Sequence, residues 1–210
     1  MPDPIPANPA VTDHPAAPAD HGAPVVSAPP APGLWRAVAE IERHVAADGW
    51  GVQQPRLFAF IRTADALRRD PGLADRLPPA VLQEARADDD HLTAVEQEGL
   101  PSADGLDELL GRLAWPPGVD GAGLVVERLL VPPDAEAEVR AATASADEAT
   151  RARALAEHPA AEDVRIAVGV LRRGGSECAV RSRSNDSDGE VRTGTDLVPG
   201  LISALTATLE

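Results

Sequence analysis

The stretch from Asp163 to Ser184 constrains the fold most, because its residue pattern fits a β-hairpin. Its first half places apolar side chains at every second position, namely Val164, Ile166, Val168 and Val170. A period of two is typical of a strand that buries one face. Gly174 and Gly175 interrupt the pattern, which resumes at Cys178 and Val180. The sequence therefore predicts two antiparallel strands joined by a short loop.

The register of this hairpin follows from keeping the apolar residues on one face. A three-residue loop of Arg173, Gly174 and Gly175 pairs Val170 with Cys178 and Val168 with Val180, whereas a two-residue Gly174-Gly175 loop mixes the two faces. A slip of one residue would move every side chain to the other face. We therefore predict the three-residue loop, with Gly175 in the left-handed conformation that glycine adopts without a steric penalty.

The other face of the predicted hairpin carries Arg165, Arg181 and Arg183. Two interpretations of this basic surface stay open. If helices cover it, the arginines must pair with carboxylates. If it is open, it can bind an acidic peptide or another anionic ligand through bidentate contacts. These three residues are the candidate binding residues of the chain.

The overall charge excludes several classes of partner. The chain has 210 residues and a formal net charge of -15, which repels the phosphates of nucleic acids and anionic lipid headgroups. No apolar run approaches the roughly 18 residues that a membrane span needs. The first residues also lack the basic and apolar regions of a secretory signal. We expect a cytoplasmic protein without nucleic-acid partners or membrane insertion.

The chain divides into a tail and one predicted domain. Residues 1–33 are rich in Pro and Ala without apolar periodicity, which predicts a disordered tail or, alternatively, a polyproline-type ligand for a partner. Residues 34–210 predict a single α+β domain, an antiparallel sheet that includes the C-terminal hairpin. A helix from Leu34, with Trp35 in the core, and a last helix capped by Asp196 pack on one face of this sheet.

The middle of the chain predicts two further strands and a helical insert. The strands are Arg56–Ile61 and residues 123–131, and short helical pieces from Thr63 to Leu113 form the insert between them. Residues 134–158 are rich in Ala and Glu with few large apolar side chains, which predicts a mobile helical excursion.

The densest group of potential metal ligands comprises Asp88, Asp89, Asp90, His91, Glu96 and Glu98. His91 and Glu98 would share one face of a helix, whereas His91 and Glu96 would diverge. We favour a solvated acidic loop that leads into a surface helix, and a metal site at His91, Glu96 and Glu98 is the alternative. The sequence has no nucleotide-binding, catalytic-serine or zinc-protease motif, so we expect no cofactor and assign no catalytic residue.

Five segments carry a family resemblance: LWRAVAEIERHVA at 34–46, RLFAFIRTADAL at 56–67, HLTAVEQEGLP at 91–101, DVRIAVGVLR at 163–172 and DLVPGLISAL at 196–205. They resemble an uncharacterised family of small actinobacterial conserved-hypothetical proteins, from Leu34 to Glu210. This resemblance implies shared lineage and no particular activity. The order of the elements also loosely resembles that of small secretion chaperones, which bind segments of partner proteins.

Two classes of function follow. A non-enzymatic cytoplasmic binding, adaptor or chaperone-like protein fits the acidic composition and the lack of catalytic motifs, and its partner would be a protein or an acidic peptide segment. A metal-assisted hydrolase would instead require His91, Glu96, Glu98 and the Asp88–Asp90 run to converge in one pocket. The oligomeric state does not follow from the sequence.

Overall fold

A computed structural model describes residues 32–51 and 54–210 of the chain. Within these residues, six strands form one sheet in the order β2-β1-β3-β4-β5-β6, and all neighbouring strands are antiparallel. The strands are β1 (Arg56–Arg62), β2 (Leu92–Glu96), β3 (Gly121–Leu130), β4 (Glu162–Leu171), β5 (Ser176–Ser182) and β6 (Arg192–Gly194). The helices are α1 (Pro32–Ala46), α2 (Thr63–Arg69), α3 (Pro79–Ala87), α4 (Leu106–Gly111), α5 (Pro133–Ala142), α6 (Glu148–Ala156) and α7 (Pro199–Ala207). The predicted α+β class is confirmed.

The N-terminal and C-terminal helices pack on opposite faces of the sheet, so the prediction that they share one face is wrong. Helix α1 packs Leu34, Val38 and Ile41 against one face of the sheet, and α4 and α7 cover the other face of the sheet. The reason lies in β4, where every residue from Val164 to Leu171 is buried. The positions between its valines include small and apolar residues, so both faces of this strand can be covered.

Two glycines allow α1 to lie close to the sheet. Gly123 of β3 and Gly169 of β4 are directly opposite each other. A Cβ atom added to Gly169 would lie 2.5 Å from a methyl group of Val38, and one added to Gly123 would lie 2.6 Å from the ring of Phe60. Real Cβ atoms do not approach other atoms so closely. These two positions therefore require glycine for α1 and the Phe60 ring to pack at the observed distance from the sheet.

The β4–β5 hairpin has the predicted loop length and faces, but its register is shifted by one residue on each strand. The loop is Arg172-Arg173-Gly174, and Val168 pairs with Cys178. Gly174 has a φ of 92° and donates its N–H to the carbonyl of Leu171 at 2.9 Å. Gly174 therefore supplies the left-handed third position of the loop. Gly175 has the predicted positive φ, 106°, but follows the loop and does not end it.

The segment after His91 forms the edge strand β2, so the predicted surface helix is wrong. Leu92 is buried and Ala94 packs against the α1-side core, which is the period of two expected for a strand. Asp88 closes a turn before it, because its Oδ1 accepts a hydrogen bond from the Asp90 N–H at 3.0 Å.

Three other predictions concern segment ends and the tail. The predicted tail lies outside the described residues except for Pro32 and Gly33, which form the first turn of α1. Trp35 is 47% exposed and not in the core. Helix α7 begins after Val198 without a side-chain cap, so Asp196 does not cap it.

Residues 134–158 contain α6 and all but the first residue of α5, and these two helices pack against each other between β3 and β4. Leu130, the last residue of β3, pairs with Glu162, the first residue of β4. We call the residues between Leu130 and Glu162 the helical arm. The helical part of the prediction is confirmed, and the mobility stays a prediction. None of the described helices combines the length and apolarity needed to cross a membrane.

Candidate functional site

Arg165 of β4 and Arg181 of β5 lie directly opposite each other beneath α1. Both are buried, and the Arg181 side chain is 3% exposed. Like charges at directly opposed strand positions are destabilising, so each guanidinium needs a carboxylate partner. The structure supplies these partners from α1, from β3 and from the turn after β5.

Arg181 is held by three carboxylates. Its Nε and Nη2 donate to the two oxygens of Glu42 on α1 at 2.6 Å and 2.9 Å, which is a bidentate pair. Its guanidinium also donates to Asp186 at 3.3 Å and to Asp188 at 2.7 Å. These bonds, with that to Glu42 the largest contribution, raise the pKa of Arg181. Since Glu42 is also buried, this pair fixes α1 to β5.

Arg165 is held by β3 and by the loop that follows α1. Its Nη2 donates to Glu127 at 2.8 Å and to the carbonyl of Gly49. Its guanidinium lies 4.4 Å from the ring centre of Trp50, within cation–π range. The indole N–H of Trp50 in turn donates to Asp186 at 2.8 Å and is the largest cause of that carboxyl group's lowered pKa. One connected set of contacts therefore joins the two arginines, and we call it the arginine network: Glu42, Trp50, Glu127, Arg165, Arg181, Asp186 and Asp188.

Arg183 lies at the margin of this network. Its side chain is 58% exposed, pairs with Asp163 at 3.0 Å and lies 5.8 Å from the Trp50 ring. Of the two interpretations left open by the sequence, the structure thus shows the covered and paired one for Arg165 and Arg181. Arg183 is the member of the predicted binding set that is open to solvent.

A groove lies beside the arginine network, between α1 and the β5–β6 end of the sheet, and we call it the α1–β6 groove. Its volume is about 480 Å³. The residues that line it are Trp35, Arg36, Ala39, Glu42, Arg43, Ala179, Arg181, Asp188, Val191 and Thr193. The groove exists because α1 packs over β4 and part of β5, whereas the paired residues Ala179 and Thr193 continue the same sheet face beyond it.

The lining of the groove combines an apolar floor with basic groups. Ala39, Ala179 and Val191 are apolar, and the exposed indole of Trp35 stands beside them. Glu42 and Asp188 are both paired with Arg181. Three arginines and two carboxylates therefore line the groove, so its formal charge is positive in a chain with a net charge of -15.

His91 lies in a hydrogen-bonded chain that resembles the order of groups in a hydrolase triad. Its Nδ1 is 2.8 Å from the Thr63 hydroxyl, and its Nε2 is 3.1 Å from Glu84. A triad needs a hydroxyl that substrate can reach. Here Thr63 is 1% exposed and the side chain of Glu84 is 63% exposed. The hydroxyl is therefore enclosed and the carboxylate is open to solvent, which is the reverse of what a triad requires. These contacts tie α2, α3 and β2 together.

The structure does not bring His91, Glu96 and Glu98 together. His91 and Glu96 flank β2 at opposite ends, and Glu96 pairs with Arg56 through bonds of 2.6 Å and 2.7 Å. The bond from Arg56 is the largest cause of the lowered pKa of Glu96. Across residues 32–51 and 54–210, no group of three or more His, Cys, Asp or Glu side chains is arranged to hold a metal ion.

Sequence reasoning missed the carboxylates of the arginine network and the groove. Glu42 gave a usable signal, because it lies on the apolar stripe of α1, four residues after Val38 and three before Val45. A single acidic residue on such a stripe indicates a buried basic partner. The groove gave no comparable signal, because it depends on where α1 ends across the sheet.

Comparison with known proteins gives one family assignment. A family model described as PPA1309-like protein matches residues 34–210. No curated protein and no solved structure matches the chain significantly.

Proposed function

The chain belongs to the PPA1309-like protein family, and we propose that it is a non-enzymatic cytoplasmic binding or adaptor protein. In this proposal the α1–β6 groove binds a peptide segment of a partner protein that carries both apolar and acidic side chains. The observation that carries the proposal is the exposed Trp35 beside an apolar floor and a basic rim.

Trp35 supports a binding role because its exposed indole adjoins other apolar side chains of the groove. A single exposed apolar side chain is common on protein surfaces. Trp35 instead borders a concave surface floored by Ala39, Ala179 and Val191. Tryptophan and arginine are enriched among the residues that contribute most to binding at protein interfaces. A volume of about 480 Å³ also falls in the range of ordinary ligand pockets.

The charges at the groove favour an acidic partner segment. Arg43 donates to the carbonyl of Ala39 at 3.2 Å and forms no ion pair within the described residues. Arg36 is exposed and pairs with Asp88 at 3.0 Å across the solvent-facing side of α1. Exposed arginines of this kind can exchange such contacts for carboxylates of a partner at little cost. The rest of the strongly acidic chain disfavours acidic partners, so the rim directs them to the groove.

The metal-assisted hydrolase has no observation in its favour. His91 is enclosed by Thr63 and Glu84, and Glu96 is engaged by Arg56.

Selection from a random peptide library on the full chain tests the proposal. We expect enrichment of peptides with an aliphatic or aromatic residue flanked by Asp or Glu. Trp35→Ala should weaken the binding of a selected peptide about tenfold, as for other exposed anchor residues. Arg43→Ala should weaken it in low salt and have little effect in high salt.

The matched control is Val95→Ala, because Val95 is 42% exposed on the edge strand β2, away from the groove. Equal loss of peptide binding in Trp35→Ala and Val95→Ala would contradict the proposal, and so would selected peptides without acidic residues.

A further inference from the structure

The first turn of α1 contributes to the lining of the α1–β6 groove. Helix α1 begins at Pro32, and Trp35 lies in its first turn. The residues before Pro32 are therefore joined to the helix three positions before Trp35, a lining residue of the groove. Their covalent connection to α1 limits how far they can move from the groove.

Residues 1–31 have the composition that the groove selects. They contain three aspartates, at positions 3, 13 and 20, and no lysine or arginine. Val25 and Val26 are the aliphatic pair nearest to Trp35 in the sequence, with Pro24 before them and Pro29 and Pro30 after them. Apolar and acidic residues thus occur together in the sequence that immediately precedes α1.

We propose, building on the proposed function, that the segment Ala23–Ala31 is an internal ligand of the α1–β6 groove that competes with the partner segment. The two occupants share one chemistry, apolar side chains with nearby carboxylates. In this proposal the internal ligand contacts Trp35 and the apolar floor through Val25, Val26 and the prolines. Asp20, three residues before the segment, supplies the carboxylate for the basic rim.

The length of the segment fits the groove. Trp35 and Arg43 are eight residues apart on α1, which corresponds to about 12 Å along the helix axis. Nine residues in an extended proline-rich conformation span about 28 Å. The segment is therefore long enough to turn back at Pro32 and still run along the whole groove.

The attachment and the prolines both lower the cost of this binding. Proline-rich segments favour an extended conformation, lose little entropy on binding and dock on aromatic surfaces. A short connection also gives an effective concentration in the millimolar range, so even a weak contact is populated. A segment without a core of its own can still order on a surface that covers its apolar groups.

Nuclear magnetic resonance of the full chain tests the contact. The indole resonance of Trp35, assigned with Trp35→Phe, is compared between the wild type and the full-length double variant Val25→Ser/Val26→Ser. We expect the variant to shift this resonance and the amide resonances of Ala179 and Val191. Trp115 is the internal reference, since its indole donates to Thr208 beside the other face of the sheet.

The control is Val11→Ser, which makes the same type of substitution once, outside the segment Ala23–Ala31. Trp35 resonances that are identical in the wild type and in the double variant would overturn the proposal. An equal shift in Val11→Ser would also overturn it, because the effect would then not be specific to the segment.

The affinity of a library-selected peptide tests the competition. The double variant should bind the peptide about tenfold more tightly than the wild type, because the groove is no longer partly occupied. Equal affinities would overturn the competition while leaving the proposed function intact. If no acidic-apolar peptide bound either chain, the proposed function would fail, and the Trp35 resonances would still decide whether the segment contacts the groove.

Discussion

At the scale of single residues, the opposed and buried pair of Arg165 and Arg181 is the feature that most needs compensating contacts. Two buried guanidinium groups on neighbouring strands repel each other, and burial deprives each of water. Glu42, Glu127 and the Trp50 ring compensate, so the stability of the pair depends on groups from three separate parts of the chain. Removing the guanidinium of Arg181 leaves the buried carboxylate of Glu42 without its bidentate partner.

Arg181→Ala should therefore lower the free energy of unfolding by about 3–5 kcal/mol, since Glu42 would stay buried without its bidentate partner. Arg183→Ala is the matched control on the same hairpin. Its ion pair with Asp163 is exposed, and its loss should cost less than about 1 kcal/mol. Urea denaturation followed by circular dichroism measures both values. Similar losses in the two variants would show that Arg181 is not the buried member that the contacts indicate.

Glu177 predicts a pH dependence of stability. Its side chain is buried on β5, and burial raises its pKa above the ordinary value of a glutamate. The folded protein therefore keeps this proton in a pH window where the unfolded chain has lost it. The contribution of Glu177 to stability is greatest below the unfolded-state pKa and falls as the pH rises through the folded-state pKa.

Glu177→Gln should remove this fall, because the amide is neutral at every pH. We expect the variant to be more stable than the wild type at pH 7 and about equally stable at the acidic end of the window. Thermal melts from acidic to neutral pH measure the difference. The control is Glu98→Gln, which removes an exposed carboxylate. A variant that lost stability at pH 7 would show that the charged form of Glu177 is needed.

At the scale of the elements, the distance between α1 and the sheet depends on the Gly123–Gly169 pair. Gly169→Ala should cost about 1–3 kcal/mol, because the new methyl group would meet Val38, Leu34 and the Phe60 ring. Gly189→Ala is the control, since no atom lies within 4 Å of the added Cβ. Denaturation curves of the two variants decide the matter. Equal stability in both would mean that α1 has space to shift.

The elements also show what a single sequence could predict. Strands β1 and β3 and helix α1 follow from apolar runs and periodicity, and the structure confirms them. Strand β2 was missed because five residues after an acidic turn carry little pattern, and its state is decided by pairing with β1. The predicted register of the hairpin was wrong because either glycine can adopt the left-handed conformation. Three-residue loops that end at Gly174 or at Gly175 were therefore both compatible with the sequence.

The candidate site was less predictable than the fold. Alternation correctly placed Arg165 and Arg181 on one face of the hairpin. It could not indicate that α1 covers this face, because the choice of face depends on packing against Gly123 and Gly169 on two neighbouring strands. The sequence predicts Trp35 in the core, because it flanks the apolar stripe of an amphipathic helix. Its exposure depends on the width of the sheet that α1 leaves uncovered.

At the scale of the whole molecule, the helical arm is separable from the sheet. Its helices pack mainly on each other, and its two ends meet at the paired residues Leu130 and Glu162. Replacing residues 131–161 with Asn-Gly would close β3 and β4 as a two-residue hairpin. We expect the unfolding free energy to change by less than about 1–2 kcal/mol, since a shorter loop offsets the contacts that are lost.

Urea denaturation and the amide spectrum of the remaining residues measure the effect of this replacement. The control is a chain of full length with Gly-Ser residues in place of 131–161, which removes the arm contacts without shortening the connection. Loss of cooperative unfolding in the Asn-Gly variant would show that the sheet depends on the arm.

The opposed arginines also set conditions on the order in which the chain can fold. Strands β4 and β5 are adjacent in sequence, and such local hairpins ordinarily form early. In this hairpin, however, pairing brings two positive charges together before Glu42 and the Trp50 ring arrive from a segment more than one hundred residues away. The hairpin gains its full stability only when α1 docks, which couples the most local element of the fold to its most distant contact. We therefore expect the docking of α1 and the full stability of this hairpin to depend on each other.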